Sequence, residues 1–156
     1  MKYYALIFLA LCFSAFSDAS VPNNDSWIVV ETEDEFTDKV SVNGSIIAKH
    51  DESLVVLMCV HGNTNIGLLN GAYDLYNKKY MAKVRVDNDV HFETEALSGS
   101  GGRLHVLTNN SEWKDKFAKG DSAIIQTKGW DNKTKTIRFK LNEFDKVYST
   151  VDEYCR

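Results

Sequence analysis

The sequence feature that most restricts the fold is a run of seven apolar residues, Leu54–Val60. Turn-forming residues flank it on both sides, Asp51-Glu52-Ser53 before the run and Gly62-Asn63 after it. A short apolar run between two turn signals is typical of a β-strand that is buried on both faces. The run therefore predicts a central strand, and it places Cys59 in the core.

Several other short segments predict further strands. Met81, Lys83 and Arg85 alternate with Ala82, Val84 and Val86, and this period of two is typical of a half-exposed strand. Asn43-Gly44 interrupts an apolar segment and indicates either a hairpin turn or a bulge within one longer strand. The remaining predicted strands cover residues 27–30, 66–69, 90–95, 104–107, 123–127 and 136–140.

Two segments have helical spacing instead. Trp113 and Phe117 lie four residues apart between possible N-caps and Gly120, which predicts a short helix over residues 111–119. Near the C-terminus, apolar residues recur at spacings of three and four and predict an amphipathic helix; they are Leu141, Phe144, Val147, Tyr148, Val151 and Cys155. We therefore expect a mainly β fold, a single-domain β-sandwich or barrel of short antiparallel strands with one short internal helix and a C-terminal helix.

The N-terminal segment has the pattern of a secretory signal peptide. Lys2 precedes about a dozen uncharged residues, and small residues follow at cleavage spacing between Ser17 and Ala19. The apolar stretch is shorter than the ~20 residues of a membrane-spanning helix, although an uncleaved anchor is the alternative. We expect residues 1–19 to be removed and residues 20–156 to form one periplasmic or secreted domain without a stable membrane span.

The cysteines support export and predict a covalent link. Cys12 leaves with the signal, so that Cys59 and Cys155 remain in the mature chain. An even pair in an exported domain of this size predicts one disulfide bond; two buried free thiols are the alternative. Closing so long a loop stabilises the fold by ~4–5 kcal/mol on the loop-entropy model, and the bond would hold the C-terminal helix against the strand of Cys59.

The charge distribution argues against a nucleic-acid partner. The chain has 18 Lys and Arg against 22 Asp and Glu, a formal net charge of −4. This balance leaves no basic field of the kind that nucleic-acid binding requires. The acids of the segment 31–35 are interpreted as a solvated turn.

Catalytic and metal-binding patterns are weak. The four histidines, His50, His61, His91 and His105, lack the short fixed spacing of zinc ligands, although His91 and His105 could share one face of a sheet. Glu93 and Glu95 would lie about 7 Å apart on one strand, near the separation of a glycosidase pair. Alternating acids are also ordinary on an exposed strand, so we expect no cofactor, no metal and no enzymatic activity, with a carboxylate-based cell-wall hydrolase as the less favoured alternative.

Taken in order, several short motifs resemble the VasI/TagO-like proteins associated with type VI secretion and, more distantly, periplasmic proteins of the invasion-associated locus B type. The resemblance rests on five segments: Trp27-Ile28-Val29, the run ending in Cys59, Lys83-Val84-Arg85-Val86-Asp87, Phe139-Lys140-Leu141-Asn142-Glu143-Phe144 and the terminal Cys155. It covers nearly all of the mature chain. Glu143 stands where the family usually has Gly, and Phe92 stands about where Trp is common.

The resemblance implies an exported, disulfide-bonded, non-catalytic accessory or binding protein. Its partner would be another protein or a component of the cell envelope, and an inhibitor of a cell-wall lysozyme is the main alternative. Tyr73, Tyr76 and Tyr80 form the candidate binding surface, because tyrosine is enriched at interfaces. The alternative for these tyrosines is that they cap the core.

Overall fold

A computed structural model describes residues 25–48, 53–69, 78–99, 103–108, 111–128 and 133–155. Within these ranges the chain forms nine strands and two helices. The strands are β1 Ile28–Glu33, β2 Val40–Ile47, β3 Leu54–Val60, β4 Asn63–Leu69, β5 Lys79–Val86, β6 Phe92–Gly99, β7 Leu104–Leu107, β8 Ser122–Lys128 and β9 Thr134–Lys140. The helices are α1 Ser111–Lys119 and α2 Phe144–Tyr154. The mainly β class, with a short internal helix and a C-terminal helix, is confirmed.

All the strands pair antiparallel in one sheet, in the order β1-β2-β3-β4-β7-β6-β5-β8-β9. The sheet curls until its two ends meet. The indole Nε1 of Trp27, which immediately precedes β1, donates a hydrogen bond to the backbone oxygen of Lys140 at the end of β9, at 3.2 Å. The rings of Trp27 and Phe139 also make an edge contact, with their centroids 6.3 Å apart. First and last strands can approach this closely only if the sheet closes on itself like a barrel.

The concave face of the curled sheet forms the core together with both helices. Inward residues of neighbouring strands lie side by side, as in the row Leu57, Ile66 and Leu107, which is fully buried. Six aromatic rings join the first strand, α1, β9 and α2 through centroid distances of 5.5 to 6.3 Å. They are Trp27, Trp113, Phe117, Phe139, Phe144 and Tyr148. This aromatic cluster fills the space that the sheet encloses.

Helix α2 packs directly on the backbone of β2. A Cβ atom at Gly44 would lie 2.4 Å from Cγ1 of Val147, so only glycine permits this approach. β2 continues through Asn43-Gly44 in unbroken register with β1, and its pairing with β3 begins at Gly44, so the dipeptide forms neither a hairpin turn nor a bulge. Two strands along the sheet, in β4, the Thr64 hydroxyl donates to Oδ1 of Asp152 at 2.9 Å and ties that strand to the same helix.

The burial predicted for β3 is wrong in two respects. Val55 and Leu57 are fully buried, but Leu54, Val56 and Met58 lie on the convex face and are only half-buried. Cys59 is exposed rather than in the core, because the strand has passed the end of the packed interior at that point. The strand buried on both faces is its neighbour β4, which is closed in from Thr64 to Leu68.

Cys59 and Cys155 are paired. Their sulfur atoms lie 2.09 Å apart, and their Cα atoms are separated by 5.3 Å, as in a disulfide bond. The link attaches the residue after α2 to the outer end of β3, beside the tight turn at His61 and Gly62, where both φ angles are positive. The helix that covers the concave face is thereby fixed at its C-terminal end.

We predict that removing the disulfide weakens the fold without changing it. Cys59→Ser with Cys155→Ser should lower the free energy of unfolding by about 4–5 kcal/mol, because the unfolded chain is no longer closed into a loop. Urea titration measures the loss. Non-reducing peptide mapping of the parent protein should recover one linked peptide pair, and two alkylatable thiols would contradict the pairing.

We also predict that Gly44→Ala destabilises the protein by about 1–3 kcal/mol, because the added methyl group overlaps Val147. Val147→Ala removes the atom that it meets. The double variant should therefore lose at least 0.5 kcal/mol less than the sum of the single variants, roughly the coupling of residues in contact. Urea unfolding of the four proteins tests this, and strictly additive losses would contradict the packing of α2 on Gly44.

Candidate functional site

The hairpin formed by β1 and the first part of β2 extends beyond the packed core. Every residue from 28 to 41 is exposed, and burial begins at Val42. β1 is the first strand of the sheet order and pairs with β2 alone among the strands described. A hairpin that is solvated on both faces adds little hydrophobic stability. We call residues 28–41 the projecting hairpin.

Asp34 orders the turn at the end of the projecting hairpin. Its carboxylate accepts hydrogen bonds from the backbone N–H groups of Phe36 at 3.0 Å and Thr37 at 2.9 Å, and from the Thr37 hydroxyl at 3.0 Å. Its backbone oxygen accepts from the N–H groups of Thr37 and Asp38, and Asp38 adopts a left-handed φ of 52°. These bonds hold Phe36 at the tip, where 96% of its surface is exposed.

The same hydrogen bonds favour the ionised form of Asp34. The Thr37 hydroxyl contributes most, and the N–H groups of Phe36 and Thr37 add to it, so that the pKa of the Asp34 carboxyl lies below its ordinary value of 3.8. A lowered native pKa stabilises the tip fully above the unfolded-state pKa. The stabilisation is lost as the pH falls through the native value.

The projecting hairpin combines acidic and apolar side chains. Residues 28–41 contain five acids and one lysine, a net charge of −4 that equals the formal net charge of the whole chain. Five apolar side chains are exposed to solvent beside these charges: Ile28, Val29, Val30, Phe36 and Val40. Aromatic residues are enriched at protein-binding surfaces, and exposed apolar patches with a polar rim mark such surfaces.

A groove of about 410 Å³ lies between the projecting hairpin and the end of α2. Val42, Cys59 and Val151 line it together with the hairpin residues Lys39 and Val40. Tyr154, half of whose surface is exposed, also lines it. The groove gives the inner face of the hairpin an apolar floor next to the disulfide.

The predicted tyrosine surface is only partly described. Tyr73 and Tyr76 lie outside the described residues. Tyr80 lies in β5, is half-buried against the core, and its hydroxyl is 2.6 Å from Nδ1 of the fully buried His105. For Tyr80 the geometry is that of the alternative interpretation, in which the ring caps the core.

The other candidate residues do not converge. His105 faces the concave interior whereas His91 is exposed before β6, so the two do not share a face. No group of three or more possible metal ligands occurs among the described residues. Glu95 pairs with Lys79 at 3.1 Å on the convex face, and Glu93 lies opposite Lys83 on the same face. Neither carboxylate lines the groove beside α2.

Sequence reasoning missed the projecting hairpin because it interpreted the acids of segment 31–35 as a turn. Glu31 and Glu33 belong to β1, and the turn covers residues 34–39. One signal was available. The segment 28–36 places apolar and acidic residues without the alternation of a half-buried strand, as expected of a strand that buries neither face.

Comparison with known proteins gives this chain no relative. No protein-family model matches it, and neither does any curated protein or solved structure. Of the helices that the structure describes, none is both long and apolar enough to cross a membrane.

We predict that Asp34→Ala loosens the tip and leaves the core intact. The backbone N–H of Phe36 loses its acceptor and that of Thr37 keeps only the backbone oxygen of Asp34, so hydrogen exchange of both amides should accelerate, most at Phe36, while exchange in β4 is unchanged. Glu35→Ala is the matched control, because it removes the same charge from the same turn. In the parent protein, the protection of these two amides from hydrogen exchange should fall only at acidic pH, where the Asp34 carboxylate is protonated. Equal effects of both variants, or protection independent of acid, would contradict the role of Asp34.

Proposed function

We propose that this chain is an exported, non-catalytic binding protein and that the projecting hairpin makes the contact with its partner. The observation that carries the proposal is the position of Phe36. A large aromatic ring stands almost fully in water at the end of a turn that Asp34 holds in one conformation. The core does not need this ring, so a role in binding explains its exposure.

The order of the hairpin favours binding. Association costs free energy when loops and side chains must be immobilised, and a preformed element avoids much of that cost. The hydrogen bonds of Asp34 and the antiparallel ladder of β1 and β2 fix the backbone before any partner arrives. Phe36 would therefore serve as an anchor that fills an apolar pocket.

The charge of the hairpin indicates the chemistry of the partner. With a net charge of −4 concentrated on one protruding element, attraction to a basic surface would accelerate encounter and orient the approach. The partner we propose is a basic protein with an apolar pocket set in its charged surface.

Export is supported by the sequence pattern of residues 1–19 and by the disulfide, which persists in oxidising compartments. The resemblance to the VasI/TagO-like family also favours an accessory role in the cell envelope. We therefore propose a periplasmic or secreted location for the mature chain.

Inhibition of a cell-wall lysozyme is a second candidate, favoured by the shape and charge of the same element. A two-stranded hairpin is narrow enough to enter an enzyme cleft, and its acids suit a basic lysozyme. Assay of a basic lysozyme distinguishes the candidates. Inhibition that Phe36→Ser abolishes would support the inhibitor, and an unaffected rate would leave only the more general binding role.

The hydrolase alternative lacks a comparable observation. Glu93 and Glu95 are displayed on the outside of the sheet, and one of them is engaged by Lys79. Peptidoglycan turnover that disappears in Glu93→Gln would nevertheless overturn the non-catalytic proposal.

We predict that a photo-crosslinking amino acid at position 36 captures a partner in the cells that produce the chain. Position 90 is the matched control, because Val90 is also apolar and 84% exposed but lies far along the sheet from the hairpin. One discrete adduct should form from position 36 and not from position 90, and Asp34→Ala should reduce its yield. Adducts of equal yield from both positions, or none from position 36, would contradict the proposal.

A further inference from the structure

Four cations lie together on the convex face, where β5 and β9 flank β8. Lys83 and Arg85 project outward from β5, and Arg138 and Lys140 project outward from β9, because the residues between them point into the core. All four side chains are exposed. A protein whose formal net charge is −4 therefore has a concentrated positive surface, which we call the cationic face.

The strand register arranges these cations on two sides of residues 122–126, the uncharged part of β8. Arg85 is the partner of Ile124 on β8, and Ile124 is the partner of Arg138 on β9. The two arginines thus stand about 10 Å apart at the same level, two strand spacings across. Lys83 lies level with Gln126, and Lys140 lies level with Ser122, so uncharged residues of β8 separate the two rows of cations.

The described carboxylates neutralise the four cations only in part, since Lys140 and Asp87 attract each other without a direct ion pair. Among the described residues, none of the four takes part in an ion pair, whereas the neighbouring Lys79 is engaged by Glu95 at 3.1 Å. Glu93 lies opposite Lys83 on β6 without pairing with it. Asp87, next to Lys140, directs its carboxylate to the backbone N–H groups of Asp121 and Ser122 and to the Ser122 hydroxyl.

We propose that the cationic face binds a linear anionic polysaccharide along β8. The guanidinium groups of Arg85 and Arg138, on the two sides of the uncharged part of β8, can each hold a carboxylate or sulfate of a polysaccharide that runs between them. The face curves outward, so a flexible polymer can follow it more closely than a flat bilayer can. The described residues on it contribute no aromatic ring for stacking nucleic-acid bases. The proposal does not depend on the projecting hairpin, because none of the four cations belongs to residues 28–41.

Fluorescein-labelled heparin is the probe, and its binding to the intact mature protein is followed by fluorescence anisotropy over a range of salt concentrations. Arg85→Gln with Arg138→Gln should weaken heparin binding by about tenfold or more. The slope of the logarithm of the binding constant against the logarithm of the salt concentration should become shallower by roughly two, because two fewer counterions are released. The matched control is Lys119→Gln with Lys146→Gln, which removes the same charge from exposed positions on α1 and α2. The control should retain the parent affinity, and equal thermal midpoints would show that all three proteins are folded.

Three outcomes would overturn the proposal. The first is failure of the parent protein to bind heparin at low ionic strength, and the second is an equal loss of affinity in the two double variants. The third is stronger, arginine-dependent binding to another polyanion. Vesicles rich in phosphatidylglycerol would then identify a membrane surface, and single-stranded DNA would identify a nucleic acid.

Discussion

The packing of α2 inside the curled sheet is the interaction on which the rest of the structure depends. Nine strands in one sheet leave a concave apolar surface that must be covered, and α2 covers it from within by resting on Gly44 and joining the aromatic cluster. Phe144 contacts Phe117 of α1 and also Trp27, whose ring meets Phe139 of β9, so the helix supports the contact that closes the sheet. The disulfide then fixes the end of the helix to β3. The contacts that close the sheet are therefore also contacts of the core.

This closure separates structural elements from elements that are free to bind. Burial begins at Val42, and the projecting hairpin before it contributes no buried side chain to the core. Its acids and Phe36 are accordingly free for a partner. The outer surface of β5, β8 and β9 is likewise unconstrained by the core, which needs only the inward residues such as Val84, Ile125 and Ile137. The fold therefore presents an acidic hairpin and, on the outer surface of β5, β8 and β9, a cationic face.

Local patterns in the sequence determined much of the fold. The helix predicted over residues 111–119 has those bounds in α1, and the period of two across Met81–Val86 correctly assigned the inward and outward residues of β5. What periodicity does not encode is which strands become neighbours. The exposure of Cys59 depends on where the core ends, and the cationic face exists because β5 and β9 flank β8. The net charge of the whole chain conceals this separation of charge. The four positive side chains of the cationic face offset the net charge of −4 on residues 28–41. The candidate site was missed for the same reason, because isolation from the core is a property of the assembled sheet.

The central claim is that the projecting hairpin is ordered but independent of the core, and native-state hydrogen exchange tests it most directly. Exchange of each backbone amide is measured at increasing concentrations of denaturant. The structure predicts that amides of β3, β4 and α2 open together with the full free energy of unfolding. Amides of the β1–β2 ladder, such as those between Thr32 and Ser41, should open at a lower free energy that barely depends on denaturant, because little surface is exposed when they do. Hairpin amides that exchange only through global unfolding would show that the hairpin is part of the core, and would contradict the account.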